Sequence, residues 1–384
     1  MRIGRWARLS LMAVLLTAGC KGFWNAPSNS GSGGGSTTAS SGVFYVANLA
    51  ASQIVGYSIN TGVVTALSGS PYAVPSAPIA ITITPSNSFL YASTATGIYV
   101  YAIASTGALT LANGGSAISS DPAQSLQVDA TNSWLVEAVS GSPNVYAIAL
   151  NPSTGGPAAN TEQFAALPNS AVQQVAISPD NLHVFVAMGA GGTEVVPFTA
   201  TNKNPFGTVA NIPVISSAGA ALSVAVDPSA RLFYIGETAA TSGSNSGGLR
   251  VFNLSTLKEI TGSPFASQGL APYSILPLST GDYVYVVNRQ VSGSSTGVIA
   301  GYAITSASSV YSLTALGSTF TAGTNPQSMV EDNTGTFVLV ADFGGNPDLK
   351  GYTFDTTNAG YLDAVISSVT GTDPVEATAI AALH

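Results

Sequence analysis

This sequence has few charged residues, one cysteine and two histidines. Asp, Glu, Lys and Arg make up 7% of the 384 residues, and 18 acidic against 10 basic side chains give a net charge of −8. A charged share of about 25% is usual. So little positive charge leaves no electrostatic footprint for nucleic acid or for anionic lipid headgroups. We therefore expect neither as a partner, and a single cysteine excludes a disulfide within the chain.

Helix signals are also scarce. The sequence contains no run rich in Glu, Lys and Leu, whereas apolar residues reach 46% and there are 41 glycines. This composition predicts an all-β protein with many turns after the N-terminal segment. The length allows two or three ordinary domains or one large repeat architecture.

The first 19 residues have the pattern of an export signal. Three arginines precede an apolar stretch at 9–16, and small residues at 17–19 lead to Cys20. The segment resembles a bacterial lipoprotein signal, in which the chain is cut before a cysteine that then carries lipid. The apolar stretch is short for a membrane span. We therefore expect that residues 1–19 are removed and that Cys20 is lipidated. The alternatives are a plain secretory signal with an incidental cysteine and an uncleaved anchor.

Residues 20–42 would join the lipid to the rest of the protein. The tract is rich in Gly, Ser and Thr, which is typical of a flexible tether with a reach on the order of 25 Å. Lys21 rather than Asp after the cysteine favours the outer membrane, by analogy with Gram-negative lipoproteins. We expect an exported, monomeric protein of the bacterial cell envelope, on the outer-membrane or periplasmic side, that meets the membrane through its lipid anchor only.

From residue 43 to the C-terminus the sequence repeats one strand pattern seven times. Each unit contains an apolar-aromatic run of the kind found in buried strands. The runs are VFYVAN (43–48), FLYAST (89–94), WLVEAV (134–139), VFVAMG (184–189), LFYIGE (232–237), YVYVVN (283–288) and FVLVAD (337–342).

Further strands surround each run. A strand of small apolar residues such as IAITIT comes first, and a turn such as TPSNS leads from it into the run. A third strand such as IYVYAI and a weaker fourth strand follow. The similar phrases SGSPY (68–72) and TGSPF (261–265) then mark the same place in units four repeats apart.

Four strands in each unit of roughly fifty residues predict a β-propeller. The first unit lacks its small-residue strand, and an unpartnered copy, ATAIAAL, lies at 377–383. If this copy completes the first blade, seven four-stranded antiparallel blades over 43–384 close into a ring without an exposed edge. Tandem immunoglobulin-like sandwiches are the competing all-β interpretation, but seven is odd and the missing piece lies at the other terminus.

The units resemble a known family. They read P-x-x-(apolar)-x-P-D/S-x-x-(aromatic)-x-Y-V, followed by G-(x)-V-Y-x-I and G-S-P-F. This pattern is similar to the lactonase family of seven-bladed propellers, which includes bacterial 6-phosphogluconolactonases, and to the related YVTN propellers. The resemblance covers 43–384 and implies the fold, with lactone hydrolysis as an activity. Because it involves blade-forming residues, it assigns no catalytic residue.

Polar side chains at the ends of the aromatic runs are candidates for a ligand site. Asn48, Glu237, Asn288 and Asp342 hold this position in the first, fifth, sixth and seventh units, and Arg289 follows directly. If they face one mouth of the central channel, Arg289 between the two carboxylates would bind or polarise a carbonyl or carboxylate. The alternative is that each caps the backbone at a strand end.

Metal and cofactor motifs are not found. No His/Cys/Asp group has metal-ligand spacing, and neither a phosphate-binding loop nor a nucleophile elbow is present. Of the histidines, His384 is the last residue and His183 lies in a turn. Asp342, Asn346 and Asp348 suit a weak calcium loop, but a turn demands the same residue types. We predict no metal and no cofactor.

Two functions fit these features. The first is a membrane-tethered platform that binds a small-molecule, glycan or protein ligand at the channel mouth, which the scarcity of charge and histidine favours. The second is an exported lactone hydrolase with Arg289 as electrophile and Glu237 or Asp342 as general base. A phosphorylated lactone fits poorly, because few cations remain to bind phosphate. The sequence favours the platform and does not identify the ligand.

Overall fold

A computed structural model describes residues 41–158, 162–169, 171–366 and 373–384. The predicted signal, Cys20 and nearly all of the tether lie outside these ranges. The described residues form thirty β-strands and one 3₁₀ turn, Asn113–Gly115. In this part of the chain no helix has the length and hydropathy needed to cross a bilayer.

The strands build seven antiparallel sheets, one for each blade. In chain order they are β1 (Gly42–Asn48), β2 (Gln53–Asn60), β3 (Val63–Ala66), β4 (Tyr72–Ala73), β5 (Pro78–Ile83), β6 (Phe89–Thr94), β7 (Gly97–Ile103), β8 (Leu109–Leu111), β9 (Ala123–Val128), β10 (Trp134–Val139), β11 (Asn144–Ala149), β12 (Gln163–Ala166), β13 (Gln174–Ile177), β14 (His183–Ala187), β15 (Thr193–Pro197), β16 (Ala210–Ile212), β17 (Ala221–Val226), β18 (Leu232–Glu237), β19 (Gly248–Asn253), β20 (Lys258–Glu259), β21 (Phe265–Ala266), β22 (Pro272–Pro277), β23 (Tyr283–Asn288), β24 (Thr296–Ala307), β25 (Val310–Thr324), β26 (Pro326–Glu331), β27 (Phe337–Asp342), β28 (Leu349–Phe354), β29 (Leu362–Ile366) and β30 (Ala377–Ala382).

Each blade places the predicted small-residue strand innermost and the aromatic run second. From the axis outward the blades are β30-β1-β2-β3, β5 to β8, β9 to β12, β13 to β16, β17 to β20, β22 to β25 and β26 to β29. The short strands β4 and β21, which end the SGSPY and TGSPF phrases, pair with the third strands of blades 1 and 5. The two phrases therefore occupy equivalent places, as their similarity predicted.

The ring is closed by the C-terminal strand. β30 pairs antiparallel with β1, with Ala377 opposite Asn48. It also contacts the innermost strands of blades 2 and 7, β5 and β26, and Thr378 Oγ1 donates a hydrogen bond of 3.0 Å to the Pro78 carbonyl. The predicted seven-bladed propeller, completed by its last strand, is confirmed.

The turn from the first to the second strand accounts for the repeated Pro/Asp/Asn/Gly signal. In six blades one turn residue has a positive φ, which Asn and Gly adopt at little cost; these residues are Asn87, Asn132, Asn181, Ala230, Gly281 and Gly335. A buried Asp, Ser or Thr opens most of these turns and accepts hydrogen bonds from backbone N–H groups. Asp129 Oδ1, for example, accepts from Ser133 and Trp134 at 2.7 and 2.6 Å.

The core consists of seven apolar clusters, each joining two neighbouring blades. Alternate side chains of a strand point to opposite faces of its sheet, so each second strand contributes to two clusters. In β10, Val136 and Ala138 pack towards blade 4, whereas Leu135 and Val139 pack towards blade 2. This explains why the aromatic runs are apolar without strict alternation.

Buried tyrosines of the second strands tie consecutive blades together. In three blades the hydroxyl donates to a glycine carbonyl of the next blade; the pairs are Tyr45–Gly107 (2.6 Å), Tyr91–Gly155 (2.7 Å) and Tyr285–Gly360 (2.7 Å). Tyr234 holds the same strand position in blade 5, but its buried hydroxyl has no hydrogen-bond partner in the described part of the chain. The next blade carries the long hairpin β24–β25 rather than a short turn.

Candidate functional site

β-Bulges distinguish one end of the propeller. In six blades the innermost strand carries an extra residue opposite the end of the second strand, and this residue leaves the ladder. The bulge residues are Ile79, Gln124, Leu222, Tyr273, Gln327 and Thr378. We call this the bulge end, and the opposite end, with the turns between first and second strands, the turn end. Bulges are common beside active sites, because they redirect side chains.

The residues predicted from the sequence all lie at the bulge end, but the two asparagines are engaged by the backbone. Asn48 Oδ1 accepts a hydrogen bond of 3.1 Å from Ala51 N. Asn288 Oδ1 accepts one of 2.8 Å from Ser267 Oγ, and its Nδ2 donates one of 2.6 Å to the Ser267 carbonyl. Both amides are buried. These contacts match the capping role that the sequence left open for them.

Glu237 is a buried carboxylate with its charge compensated. Its Oε2 lies 3.2 Å from Arg250 Nη1, and its Oε1 accepts a hydrogen bond of 2.6 Å from Ile215 N. Arg250 also pairs with Glu259 at 2.8 Å. Both oxygens of Glu237 are already engaged by an arginine or a backbone N–H, so the structure does not favour it as the general base.

Asp342 ends β27 of blade 7 and is only half satisfied. Gly323 N donates to its Oδ1 at 3.1 Å, whereas Oδ2 is buried without a hydrogen-bond partner in the part of the chain that the structure describes. A side chain at Gly323 would overlap this carboxylate, so the close approach requires glycine. Burial raises the pKa of Asp342 to about 7, although Lys350 and Gly323 N act in the opposite direction.

Arg289 extends from the end of β23 over the innermost strands of blades 6 and 7. Its guanidinium carbon lies 3.0 Å from the centre of the Tyr273 ring, and its Nη2 donates to Gln327 Oε1. Both partners are bulge residues. The Nε of Arg289 is buried and has no hydrogen-bond partner within the described ranges, and burial lowers the pKa of the side chain. The guanidinium thus keeps a hydrogen-bond donor unused at the bulge end.

Arg289 does not pair directly with the carboxylates that the sequence places on either side of it. Among the described residues it forms an ion pair with neither Glu237 nor Asp342. Arg289 contacts Gln327, and the neighbouring Pro326 lies opposite Asp342 in the ladder. Arg289 and Asp342 therefore lie beside the same bulge, while Glu237 belongs to blade 5. The sequence did not anticipate Arg250, whose pairing requires that its strand lie beside β18.

A cleft of ≈ 400 Å³ opens between the outer strands of blades 6 and 7. Gly323 and Lys350 line it, together with Thr296, Asn346 and Tyr352. Lys350 Nζ lies 3.5 Å from the Ala322 carbonyl, on the side of the blade where Asp342 is buried. A ligand in this cleft would meet one ammonium group, with the Asp342 carboxylate behind Gly323.

Two other predicted features have structural roles or lie elsewhere. Asp348 Oδ2 accepts a hydrogen bond of 2.7 Å from Glu376 N, so this part of the suggested calcium loop ties the chain that leads into β30. Both histidines lie at the turn end: His183 starts β14, and His384 N donates to Asn87 Oδ1 at 2.9 Å. Neither histidine can therefore act as a base at the bulge end.

The described residues contain one group of acidic side chains close enough to share a cation, and it was missed from the sequence. Oxygens of Asp121, Glu137 and Glu162 in blade 3 lie within 4.8 Å of one another. These residues are far apart along the chain, so no short sequence pattern indicates that they form a group. Burial and the two neighbouring carboxylates raise the pKa of Glu137 to about 8.

Several solved structures are similar to this chain along nearly its whole length. One is a protein from Bacteroides fragilis named "putative 6-phosphogluconolactonase", with 15% identity, a TM-score of 0.68 and coverage of 91% of this chain and 100% of that one. Another is the periplasmic gluconolactonase of Pseudomonas aeruginosa, with 16% identity, a TM-score of 0.67 and coverage of 90% and 99%. A Bacteroides uniformis protein with the same name as the first has 17% identity and a TM-score of 0.66, with coverage of 89% and 99%.

No protein-family model and no curated protein matches the sequence. At identities of 15 to 17% the structural likeness shows the fold alone. The chain has the seven-bladed architecture that these lactonase-named propellers share.

Proposed function

We propose that the protein hydrolyses a lactone at the bulge end of blades 6 and 7. The observation that carries the proposal is the placement of Arg289, with an unused donor, and Asp342, with an unused acceptor, beside the bulge at Gln327. The names of the similar structures, which specify gluconolactone chemistry, support a sugar lactone as the substrate class.

The two side chains suit the two demands of ester hydrolysis. The Arg289 guanidinium would stabilise the negative charge that develops on the carbonyl oxygen. The Asp342 carboxylate would take a proton from water while the water oxygen bonds to the carbonyl carbon. When the ring C–O bond breaks, the same proton returns to the departing alkoxide, so that lactone and water yield one hydroxy acid.

The pKa of about 7 makes Asp342 better suited to this role than an ordinary aspartate. A general base works best when its pKa lies near the working pH, because it is then both ionised and strongly basic. Glu237, the other candidate, is neutralised by Arg250 and Ile215 N. We therefore assign the base to Asp342 and a structural role to Glu237.

The charge of this region favours a lactone without phosphate. Blades 6 and 7 contain only two basic residues, Arg289 and Lys350. A phosphate is usually held by several Arg or Lys side chains or by helix N-termini. If Arg289 binds the carbonyl, only Lys350 remains for a phosphate group.

The test is hydrolysis of glucono-δ-lactone by the purified chain, corrected for spontaneous ring opening. We expect R289Q and D342N each to lower kcat/KM by roughly 10²-fold or more. K258Q and D282N change the same charges at exposed positions and should leave the rate unchanged. The wild-type rate should rise with pH through about 7, because Asp342 acts when ionised.

A wild-type protein that never exceeds the spontaneous rate with any lactone would refute the hydrolase. Calorimetry with gluconate then tests the ligand-binding platform, the second candidate, since Arg289 suits a carboxylate equally well. Binding that R289Q abolishes would support the platform. Absence of binding would reject both roles for Arg289.

We also propose that the chain is exported and lipidated at Cys20. The N-terminal signal pattern supports this, and one similar structure is named a periplasmic protein. The variant C20A should move from the membrane fraction to the soluble fraction, and an unchanged distribution would contradict the lipid anchor. The monomeric state and the absence of a nucleic-acid partner stay predictions of the sequence.

A further inference from the structure

The acidic group of blade 3 lies between the faces of blades 2 and 3. Glu137 occupies the middle of β10 between Leu135 and Val139, which pack in the cluster shared with blade 2. Alternation along the strand places its side chain on the same face. Asp121 comes from the connection that leads into β9, and Glu162 directly precedes β12. Three separate segments thus converge on one point.

Glu137 is completely buried and directed into this group. Its relative exposure is 0%, and its Oε2 has no hydrogen-bond partner among the described residues. The other oxygen, Oε1, has only Ser119 Oγ at 3.5 Å, the limit of a hydrogen bond. A buried carboxylate without donors is costly unless another charge compensates it. The other two members of the group, Asp121 and Glu162, are carboxylates themselves.

No basic side chain is available as a counter-charge. The sequence contains neither Lys nor Arg between positions 22 and 202, so blades 1 to 3 have none at all. The ion pairs within the described ranges involve only Arg231 and Arg250, both of blade 5. When Glu137 is ionised, its charge must therefore be balanced by something other than a basic residue of its own or an adjoining strand.

We propose that Asp121, Glu137 and Glu162 bind a divalent cation, Ca²⁺, that links the entry of blade 3 to its middle and outer strands. Ligands on opposite sides of one Ca²⁺, at about 2.4 Å each, are about 4.8 Å apart, and the three carboxylates lie within this limit. The donor set is oxygen only, which suits Ca²⁺ rather than a softer metal. Asp121 is partly exposed and Glu162 is exposed, so the ion and its waters have access.

Calorimetric titration of the metal-free full-length protein with Ca²⁺ tests this directly. We expect one site per chain and a rise in Tm with Ca²⁺, because a ligand of the folded state alone stabilises it. Tb³⁺ in place of Ca²⁺ should show luminescence sensitised by Tyr146, which lies opposite Glu137 in the ladder. E162Q, at an exposed position, and E137Q should each weaken binding by more than about tenfold.

The matched control is E194Q. Glu194 is equally buried in the next blade, but its Oε1 accepts a hydrogen bond of 2.6 Å from Asn211, and it belongs to no acidic group. E194Q should bind Ca²⁺ as the wild type does. The proposal is overturned if the wild type shows neither heat nor a Tm shift with millimolar Ca²⁺, in which case the carboxyl groups share a proton instead. Binding that survives both E137Q and E162Q would equally overturn it.

Discussion

Blades 5 and 7 end their second strands in the same way, with a buried carboxylate, yet surround it differently. Glu237 in blade 5 has an arginine at 3.2 Å and a backbone N–H at 2.6 Å. Asp342 in blade 7 has one backbone N–H at 3.1 Å and an oxygen without a partner. Strand position and burial are equal, so the difference arises only from what adjacent strands and loops supply.

This difference separates a structural charge from a reactive one. A buried carboxylate that is paired with arginine and fully hydrogen-bonded is held in its ionised form and is a poor base. A buried carboxylate with one unused oxygen has a raised pKa and can exchange a proton near neutral pH. Sorting buried acids by their partners, rather than by their position, therefore selects Asp342 over Glu237.

The largest expected effect comes from removing the arginine of blade 5. R250M leaves Glu237 buried without its partner, which should reduce the free energy of unfolding by about 3–5 kcal/mol. Urea denaturation measures this loss. The double variant E237Q/R250M no longer buries a charge and should recover part of it. Equal losses in both variants would show that the ion pair with Glu237 is unimportant and that Arg250 acts through Glu259 or packing.

Asp342 is expected to make a smaller, pH-dependent contribution to the free energy of unfolding. Its pKa is about 7 in the folded state, against about 3.9 in an unfolded chain. The folded protein therefore holds this proton more tightly, and stability falls as pH rises from about 4 to 7. Ionisation of this carboxylate lowers the free energy of unfolding by roughly 2–4 kcal/mol above pH 7. Below pH 4 the carboxyl group is protonated in both states and this contribution is absent.

D342N removes this titration. The free energy of unfolding of D342N relative to wild type should therefore increase across this pH range and level off above it. Denaturation of both proteins at several pH values measures the difference in their free energies of unfolding. The contributions of the other acidic groups cancel in this difference. A difference that stays constant with pH would show that Asp342 is ionised throughout, as a charge-compensated group would be.

The smallest expected change in stability comes from removing tyrosine hydroxyls, of which one is hydrogen-bonded and the other has no partner among the described residues. Y285F deletes a 2.7 Å hydrogen bond to Gly360 in the next blade and should cost about 1 kcal/mol. Y234F removes a buried hydroxyl that has no partner in the described structure and should be neutral or slightly stabilising. Thermal unfolding of the two matched variants compares them. An equal loss of Tm in both would mean that Tyr234 is hydrogen-bonded, for example through water.

Much of the architecture could be predicted from the sequence, because the blades share the same strands and turns. The turn that begins with Asp129 and passes through Asn132 needs one left-handed residue and one side-chain acceptor, and these needs leave a pattern in six of the seven units. The unpartnered strand at the C-terminus likewise predicted how the ring closes. Hydrophobic period, turn chemistry and strand count are all local properties, so they could be counted along the chain.

The bulges also have a recurring sequence pattern, which the sequence analysis did not include. Around each extra residue the innermost strand places a small residue or proline on either side, as in Pro272-Tyr273-Ser274 and Ala123-Gln124-Ser125. This phrase recurs in six units and would have singled out Tyr273 and Gln327 as neighbours of Arg289. The sequence placed Arg289 correctly at the end of a run but could not reveal these two contacts.

By itself, the sequence determined the number of blades, the strand order within them and the closing strand. Only the tertiary structure decided that Arg250 neutralises Glu237, that Asp342 keeps a free oxygen, and that Asp121, Glu137 and Glu162 meet without a counter-charge. Repeats follow from bonds and contacts between residues close in the chain. The state of a buried charge depends on the few groups within several ångströms of it, which come from distant segments.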